Sequence, residues 1–133
     1  MTFARQHQPE HQNTISKQYE LAHKANGGLL APVGRAWQQL RKANKDLSLH
    51  LKDRIHPTPS GTYLSACVLY GTMFGGDVRN FPSKLVIKDV AGNDKVLIDL
   101  PATKAQLLRD AAATVVEAQY PKRQPPKKKA GKQ

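Results

Sequence analysis

Cysteine, acidic residues and long apolar runs are all scarce in this sequence. Its 133 residues include a single cysteine, Cys67, so no disulfide bond can form within the chain. Because Cys67 has apolar neighbours on both sides, we expect a buried side chain rather than a reactive thiol. No run approaches the roughly 18 apolar residues that a membrane-spanning helix needs, and residues 1–6 contain no apolar stretch of signal-peptide length. The sequence therefore predicts no membrane partner and no signal peptide within these residues.

The shortage of acidic residues leaves a large and unevenly distributed positive charge. Lys and Arg number 21 against 10 Asp and Glu, which gives a net charge of +11. Residues 121–133 hold six of the basic residues and no acidic one, so residues 1–120 carry 15 minus 10, or +5. This basic tail has three prolines and no large apolar side chain. We expect it to be disordered, because it cannot bury enough surface to offset its ordering entropy.

Apolar spacing predicts four helices and three strands. A short apolar run at residues 29–34 is bounded by glycine and predicts a strand buried on both faces, in a parallel sheet. Two later runs flank turn residues and predict a β-hairpin. Trp37, on the second helix, is expected to lie in the core. The predicted helices cover residues 8–25, 35–45, 60–74 and 103–118, and the hairpin strands cover residues 85–90 and 95–100.

The third predicted helix has the clearest ends. Thr58 can cap it, Pro59 suits its first turn, and Gly75 lies just past its end. Its apolar residues fall on nearly every side, so we expect it to be largely buried. The order helix, strand, helix, helix, hairpin, helix indicates an α/β fold.

Asp53 and His56 are the residues most suited to catalysis. Proline follows His56, so its backbone is held away from helical geometry and the imidazole lies on a stiffened loop. An aspartate three residues earlier can accept a hydrogen bond from the imidazole Nδ1–H and stabilise the imidazolium that forms during general-base catalysis. For Asp-x-x-His alone, a capped turn beside a surface histidine is the simpler interpretation. A catalytic pair is favoured by the resemblance of the surrounding residues to a known family of hydrolases.

The block Asp53-Arg54-Ile55-His56-Pro57, followed by Gly61-Thr62-Tyr63-Leu64, resembles the last conserved block of SGNH/GDSL hydrolases. Residues 1–6 and 31–37 are similar to the late portion of bacterial proteins of this family, in the same order. The resemblance covers roughly residues 1 to 75. It implies that residues 1–78 are the C-terminal part of a three-layer α/β/α, flavodoxin-like domain. A hairpin and a helix would follow at residues 79–120, and then the basic tail.

The resemblance also implies a reaction. His56 would be the general base that activates a serine, and Asp53 would orient it, in the hydrolysis of a carboxylic ester through an acyl-serine. The substrate would be a small-molecule or carbohydrate ester, and no cofactor or metal would take part. Family members are often exported by bacteria, so the localisation is left open, and the oligomeric state is not predicted.

The nucleophile that this family uses does not occur in the sequence. The family carries it in a Gly-Asp-Ser motif, and none of Ser16, Ser48, Ser60, Ser65 and Ser83 lies in that motif or in Gly-x-Ser-x-Gly. Loss of a triad serine costs on the order of a millionfold in kcat, so we expect the chain alone to be inactive. Three explanations stay open: a truncated product of a longer reading frame, which we favour, a site completed by another chain, or a degenerate descendant.

One motif invites a metal assignment that its residues do not favour. His7-Gln8-Pro9-Glu10-His11 spells the His-x-x-Glu-His pattern of a class of zinc proteases. That pattern requires both histidines on one helical face, and Pro9 between them breaks the helix or leaves His7 outside it. No metal is therefore predicted.

The alternative function is that of a small basic module that binds nucleic acid or another polyanion through the tail. Nucleic acid is not the favoured partner, because the tail has no aromatic residues to stack on bases. If this alternative is right, affinity for a polyanion should fall steeply with salt and vanish when residues 121–133 are deleted. A filter-binding titration at two salt concentrations measures both effects. Affinity that survives the deletion would exclude binding through the tail.

Overall fold

The computed structural model describes residues 2–121, which form four α-helices, one short 3-10 turn and a two-stranded antiparallel sheet. Apart from Pro121, the basic tail that was predicted to be disordered lies outside these residues. No described helix is both long and apolar enough to cross a membrane. The helices are α1 (His11–Asn26), α2 (Val33–Ala43), α3 (Pro59–Phe74) and α4 (Ala102–Gln119); the 3-10 turn is Val78–Asn80, and the strands are β1 (Lys84–Lys88) and β2 (Asp94–Asp99).

Both ends of α3 form as the sequence predicts. The Thr58 side chain caps the first turn by accepting a hydrogen bond from the Gly61 N–H at 3.2 Å, and Pro59 occupies the first turn without needing a hydrogen-bond partner. Gly75 ends the helix in the left-handed region, with φ of 66°. The cap fixes where α3 starts, directly after the Asp53–His56 loop.

Helices α2, α3 and α4 pack together around the hydrophobic core, and α1 lies against α2. Trp37, Tyr63, Leu64 and Leu108 are almost wholly inaccessible to water. Burial of side chains of this size contributes roughly 1.5–3 kcal/mol each. Trp37 belongs to the core, as predicted.

The predicted hairpin is also confirmed, with strand bounds within two residues of those predicted. The Asp89 carboxylate closes its turn by accepting hydrogen bonds from the backbone N–H groups of Ala91 and Asn93, both at 2.9 Å. Gly92 takes the left-handed conformation, with φ of 85°, that the turn requires. The hydrogen bonds of this turn all lie within residues 89–93, so nearby residues were enough to predict the hairpin.

The strand predicted at residues 29–34 does not form. Residues 29–32 are irregular, and α2 already begins at Val33. Leu30 is buried, yet its backbone N–H donates to the Tyr120 hydroxyl at 2.7 Å, and that hydroxyl lies 3.3 Å from the Leu30 carbonyl oxygen. The Tyr120 side chain, 90 residues away, thus hydrogen-bonds to the backbone groups of Leu30 that a neighbouring strand would otherwise bind. Within residues 2–121 the only sheet is the antiparallel hairpin.

The expectation that α3 is largely buried is right for one face of the helix, which is buried along its whole length, and wrong for the other. Leu69, Tyr70, Met73 and Phe74 have between 37% and 57% of their surface exposed. The cause is that α2, α4 and the 3-10 turn contact α3, while no further element of residues 2–121 covers its other side. We call these four residues the open face of α3.

Replacement of Gly61 by alanine should destabilise the protein by about 1–3 kcal/mol, because the backbone at Leu49 leaves no room for a methyl group. A Cβ at this position would lie 2.4 Å from the Leu49 carbonyl oxygen and 2.7 Å from the Trp37 ring. This overlap should outweigh the higher helix propensity of alanine, which exceeds that of glycine by roughly 1 kcal/mol.

Urea unfolding, followed by far-UV circular dichroism, measures the effect. Gly28→Ala is the matched control, since nothing lies within 4 Å of the Cβ that it would add. Its stability should change by no more than about 0.5 kcal/mol. Equal unfolding midpoints for the two variants would contradict the close approach.

Candidate active site

The loop between α2 and α3 folds back on itself and carries Asp53 and His56 at its tip. The Leu51 N–H donates to the His56 carbonyl oxygen at 2.8 Å, and the Thr58 N–H donates to the Leu49 carbonyl oxygen at 2.9 Å. Leu49 is buried in the core. The base of the loop is therefore anchored, whereas its tip faces water.

Asp53 and His56 are in direct contact. Oδ2 of Asp53 lies 2.6 Å from Nδ1 of His56, and Oδ1 accepts hydrogen bonds from the backbone N–H groups of Ile55, at 2.9 Å, and His56, at 3.0 Å. These bonds lower the pKa of the Asp53 carboxyl group to about 2, with the Ile55 N–H as the largest cause and the His56 ring as the next. The carboxylate is therefore ionised throughout the pH range of ordinary ester hydrolysis.

The contact also decides which nitrogen of His56 can act as a base. An ionised carboxylate only accepts hydrogen bonds, so Nδ1 of His56 must carry the proton that it shares with Asp53. In the neutral ring the lone pair then lies on Nε2. Within residues 2–121 no side chain or backbone group hydrogen-bonds to Nε2, and 70% of the His56 side chain is exposed. Nε2 is free to take a proton from an approaching hydroxyl group.

Arg54 gives the loop its sharp reversal. Its φ of 65° places it in the left-handed region, where residues other than glycine are uncommon. The Arg54 N–H donates to the Leu51 carbonyl oxygen at 2.9 Å, and the Arg54 carbonyl oxygen accepts from the Gln6 N–H at 2.9 Å. A backbone hydrogen bond therefore joins the tip of the loop to the N-terminal segment.

No serine of the described residues hydrogen-bonds to His56. The Ser48 hydroxyl donates to the His50 carbonyl oxygen at 2.8 Å, and the Ser65 hydroxyl donates to the Gly61 carbonyl oxygen at 2.9 Å. The structure thus brings together the two site residues predicted from the sequence, without a nucleophile at hydrogen-bonding distance.

His50 is a functional candidate that the sequence analysis did not identify. It is buried, its Nε2 lies 3.1 Å from the Ala4 carbonyl oxygen, and its ring is edge-on to Phe3 and Trp37. Burial is the main cause that lowers the pKa of His50. The flanking leucines, Leu49 and Leu51, were the local sign of an apolar setting.

Neither the His-x-x-Glu-His motif nor Cys67 forms a second reactive site. Helix α1 begins at His11, so His7 precedes it and the two histidines do not share a helical face. No three His, Cys, Asp or Glu side chains within residues 2–121 form a group able to hold a metal ion. Cys67 is buried as predicted, and burial raises the pKa of its thiol to about 11.

A scan against protein-family models and searches of curated proteins and of solved structures found no match to this chain. Membership of the SGNH/GDSL family therefore stays a prediction from the motifs. The geometry of the Asp53–His56 pair is independent of that prediction.

The carboxyl group of Asp53 should titrate near pH 2, and at a higher pH in His56→Ala, because that variant removes one hydrogen bond to the ionised form. The value in the variant should stay below the ordinary 3.8, since the Ile55 N–H still donates. A pKa that folding lowers means that the ionised group stabilises the loop above pH 3.8 and that this contribution is lost as the pH falls through about 2.

Carbon-detected NMR of the side-chain carboxyl groups measures the titration. His7→Ala removes an exposed histidine that makes no hydrogen bond or ion pair with Asp53 within residues 2–121, and it serves as the control. An ordinary pKa for Asp53 in the unmodified protein would show that the 2.6 Å contact does not persist in solution.

Proposed function

We propose that Asp53 and His56 are the orienting acid and the general base of an SGNH-type hydrolase of carboxylic esters. The observation that carries the proposal is the 2.6 Å contact between Oδ2 of Asp53 and Nδ1 of His56, which leaves Nε2 of His56 as an outward-facing acceptor. A capped turn beside a surface histidine does not require this contact. A triad does.

In the proposed reaction, Nε2 of His56 takes the proton of a serine hydroxyl while the serine oxygen attacks the ester carbonyl carbon. His56 then gives this proton to the leaving alcohol as the C–O bond breaks, and an acyl-serine remains. The same nitrogen then takes a proton from water as the water oxygen attacks the acyl carbon, and it gives this proton to the serine oxygen as the acyl C–O bond breaks and the carboxylic acid leaves. Asp53 stays ionised and stabilises the imidazolium in both halves, which its low pKa of about 2 supports.

The serine and the oxyanion donors would come from outside the described residues. Another part of the same polypeptide or another chain could supply them, and a degenerate chain would lack them. The alternative function, binding of a polyanion, depends on the basic tail, and Pro121 is the only residue of that tail that the structure describes. No contact within residues 2–121 favours that alternative.

We also propose that residues 1–78 are the C-terminal part of a three-layer α/β/α domain. One feature supports this. Leu69, Met73 and Phe74 on the open face of α3 lie uncovered, on a helix that is apolar on nearly every side and suited to burial. A sheet that carries the nucleophile would cover that face.

Hydrolysis of p-nitrophenyl acetate tests the proposal. We expect residues 1–133 alone to be no more active than their His56→Ala variant. The same residues expressed together with the coding sequence immediately upstream should be active, and His56→Ala should lower their kcat by on the order of a millionfold. Asp53→Asn should lower it by about ten-thousandfold, because the histidine would take the wrong tautomer.

His7→Ala, which changes an exposed histidine outside the pair, should leave the rate unchanged. Full activity of the longer polypeptide after His56→Ala would overturn the proposal. Turnover by residues 1–133 alone that depends on His56 would support the pair and place the serine within this chain or in a second copy of it.

A further inference from the structure

A cleft of about 640 Å³ lies beside the Asp53–His56 loop, and the proposed chemistry does not use it. It opens between the N-terminal segment, the C-terminal end of α2 and residues 47–50. We call it the α2 cleft. The lining residues that matter here are Phe3, Gln38, Arg41, Lys42, Lys45 and His50.

One wall of the α2 cleft is aromatic. The Phe3 ring stacks on the Trp37 ring, with centroids 3.7 Å apart and planes within 2°, and the His50 ring is edge-on to both. Trp37 is only 2% exposed, whereas Phe3 is half-buried. Phe3 therefore presents a supported apolar surface of the kind on which the C–H face of a sugar ring packs.

Polar groups with spare hydrogen-bonding capacity lie next to this wall. The Ala4 carbonyl can only accept, so Nε2 of His50 carries the proton in their 3.1 Å contact. Nδ1 of the neutral ring is then an acceptor, and it has no partner within residues 2–121. Gln38 donates to Oδ1 of Asn13 at 3.0 Å, which leaves the Gln38 carbonyl oxygen and the Asn13 amide nitrogen available. These groups suit the hydroxyl groups of a carbohydrate.

The rim of the α2 cleft carries a surplus of positive charge. No carboxylate within residues 2–121 pairs with Arg41, Lys42 or Lys45. The acidic side chains on the rim are Asp46, and Glu10, which lies 3.7 Å from His11. Arg41 and Lys42 also lie in the last turn of α2, where they complement the helix dipole. The net field at the rim still favours a negatively charged ligand.

The α2 cleft continues towards the proposed catalytic pair. A neighbouring depression of about 430 Å³ shares Gln6, Ser48 and His50 with the cleft. Lys52 and Arg54, from the loop that carries Asp53, line the depression as well. One elongated ligand could therefore occupy both and extend from the basic rim to the loop that carries Asp53.

We propose that the α2 cleft binds a sugar ring that carries a carboxylate or sulfate group, as the recognition subsite of the proposed ester hydrolase. The ring packs on Phe3, a hydroxyl group donates to Nδ1 of His50, and the anion lies between Lys42 and Lys45. The proposal rests on the proposed function for the role of the ligand. Its binding step needs neither the serine nor His56.

Titration of the full chain with trisaccharides tests the binding step. Trp37 is the sole tryptophan and stacks on Phe3, so its fluorescence reports on the cleft. Trigalacturonate, which carries carboxylates, and a sulfated maltotriose are compared with maltotriose, which is neutral. We expect at least one acidic trisaccharide to bind about tenfold more tightly than maltotriose, the effect of one charge-assisted hydrogen bond. This preference should shrink in high salt.

The double variant Lys42→Gln, Lys45→Gln should lower the affinity for the preferred acidic trisaccharide to that for maltotriose. Both lysines are exposed, so the substitutions should not disturb folding. Lys95→Gln, Lys104→Gln is the matched control, because it removes two exposed lysines that do not line the cleft. It should leave the affinity unchanged. Equal binding of acidic and neutral trisaccharides, or equal losses in the two double variants, would overturn the proposal.

The two proposals fail in different ways. His56→Ala should bind the acidic trisaccharide as the unmodified chain does, because His56 lines neither the cleft nor the depression. Loss of ester hydrolysis in the His56→Ala variant of the longer polypeptide, together with equal binding of acidic and neutral trisaccharides, would overturn the subsite alone. An acidic preference that depends on Lys42 and Lys45 would support the subsite even if hydrolysis did not require His56.

Discussion

The close approach of Gly61 to the Leu49 carbonyl is the constraint on which both the core and the candidate site depend. It allows the first turn of α3 to lie directly on residues 48–50, which lead into the Asp53–His56 loop. Thr58 reinforces this contact from the same turn, since its hydroxyl donates to the Ser48 carbonyl oxygen at 3.0 Å and accepts from the Gly61 N–H. Both ends of the loop are thus in contact with the first turn of α3. Core packing and the position of the Asp53–His56 pair are set by the same few contacts.

The parts of the fold that could be predicted are those that nearby residues determine. The cap and stop of α3 and the turn of the hairpin depend on Thr58, Gly75 and Asp89, each of which acts within a few residues of its own position. The segment at residues 29–32 differs, because an apolar strand needs a neighbour that periodicity cannot identify. Its backbone groups bond instead to Tyr120, which is 90 residues away. The residue pattern of a single sequence does not show which distant residues will be in contact.

The same distinction separates the two halves of the candidate site. Asp53 and His56 are three residues apart, so a tight turn alone brings their side chains together, and the sequence was sufficient to predict the pair. The α2 cleft is built from Phe3, Trp37 and His50, which meet only because α2 and the following loop fold against the N-terminal segment. Sequence reasoning placed Trp37 in the core correctly. It gave no reason to bring Phe3 or His50 to the same place.

The exposure of the pair has a physical consequence for the proposed chemistry. Asp53 and His56 are open to water, which screens the attraction between opposite charges, whereas partial burial would strengthen this attraction several-fold. A strong general base therefore requires a covering surface over the loop tip. The open face of α3 also requires cover, because large apolar side chains in water are unfavourable. In the proposed hydrolase, the part of the protein that brings the serine to Nε2 of His56 would exclude water from the loop tip and from the open face of α3. Assembly of the active site and completion of the hydrophobic core would then be a single event.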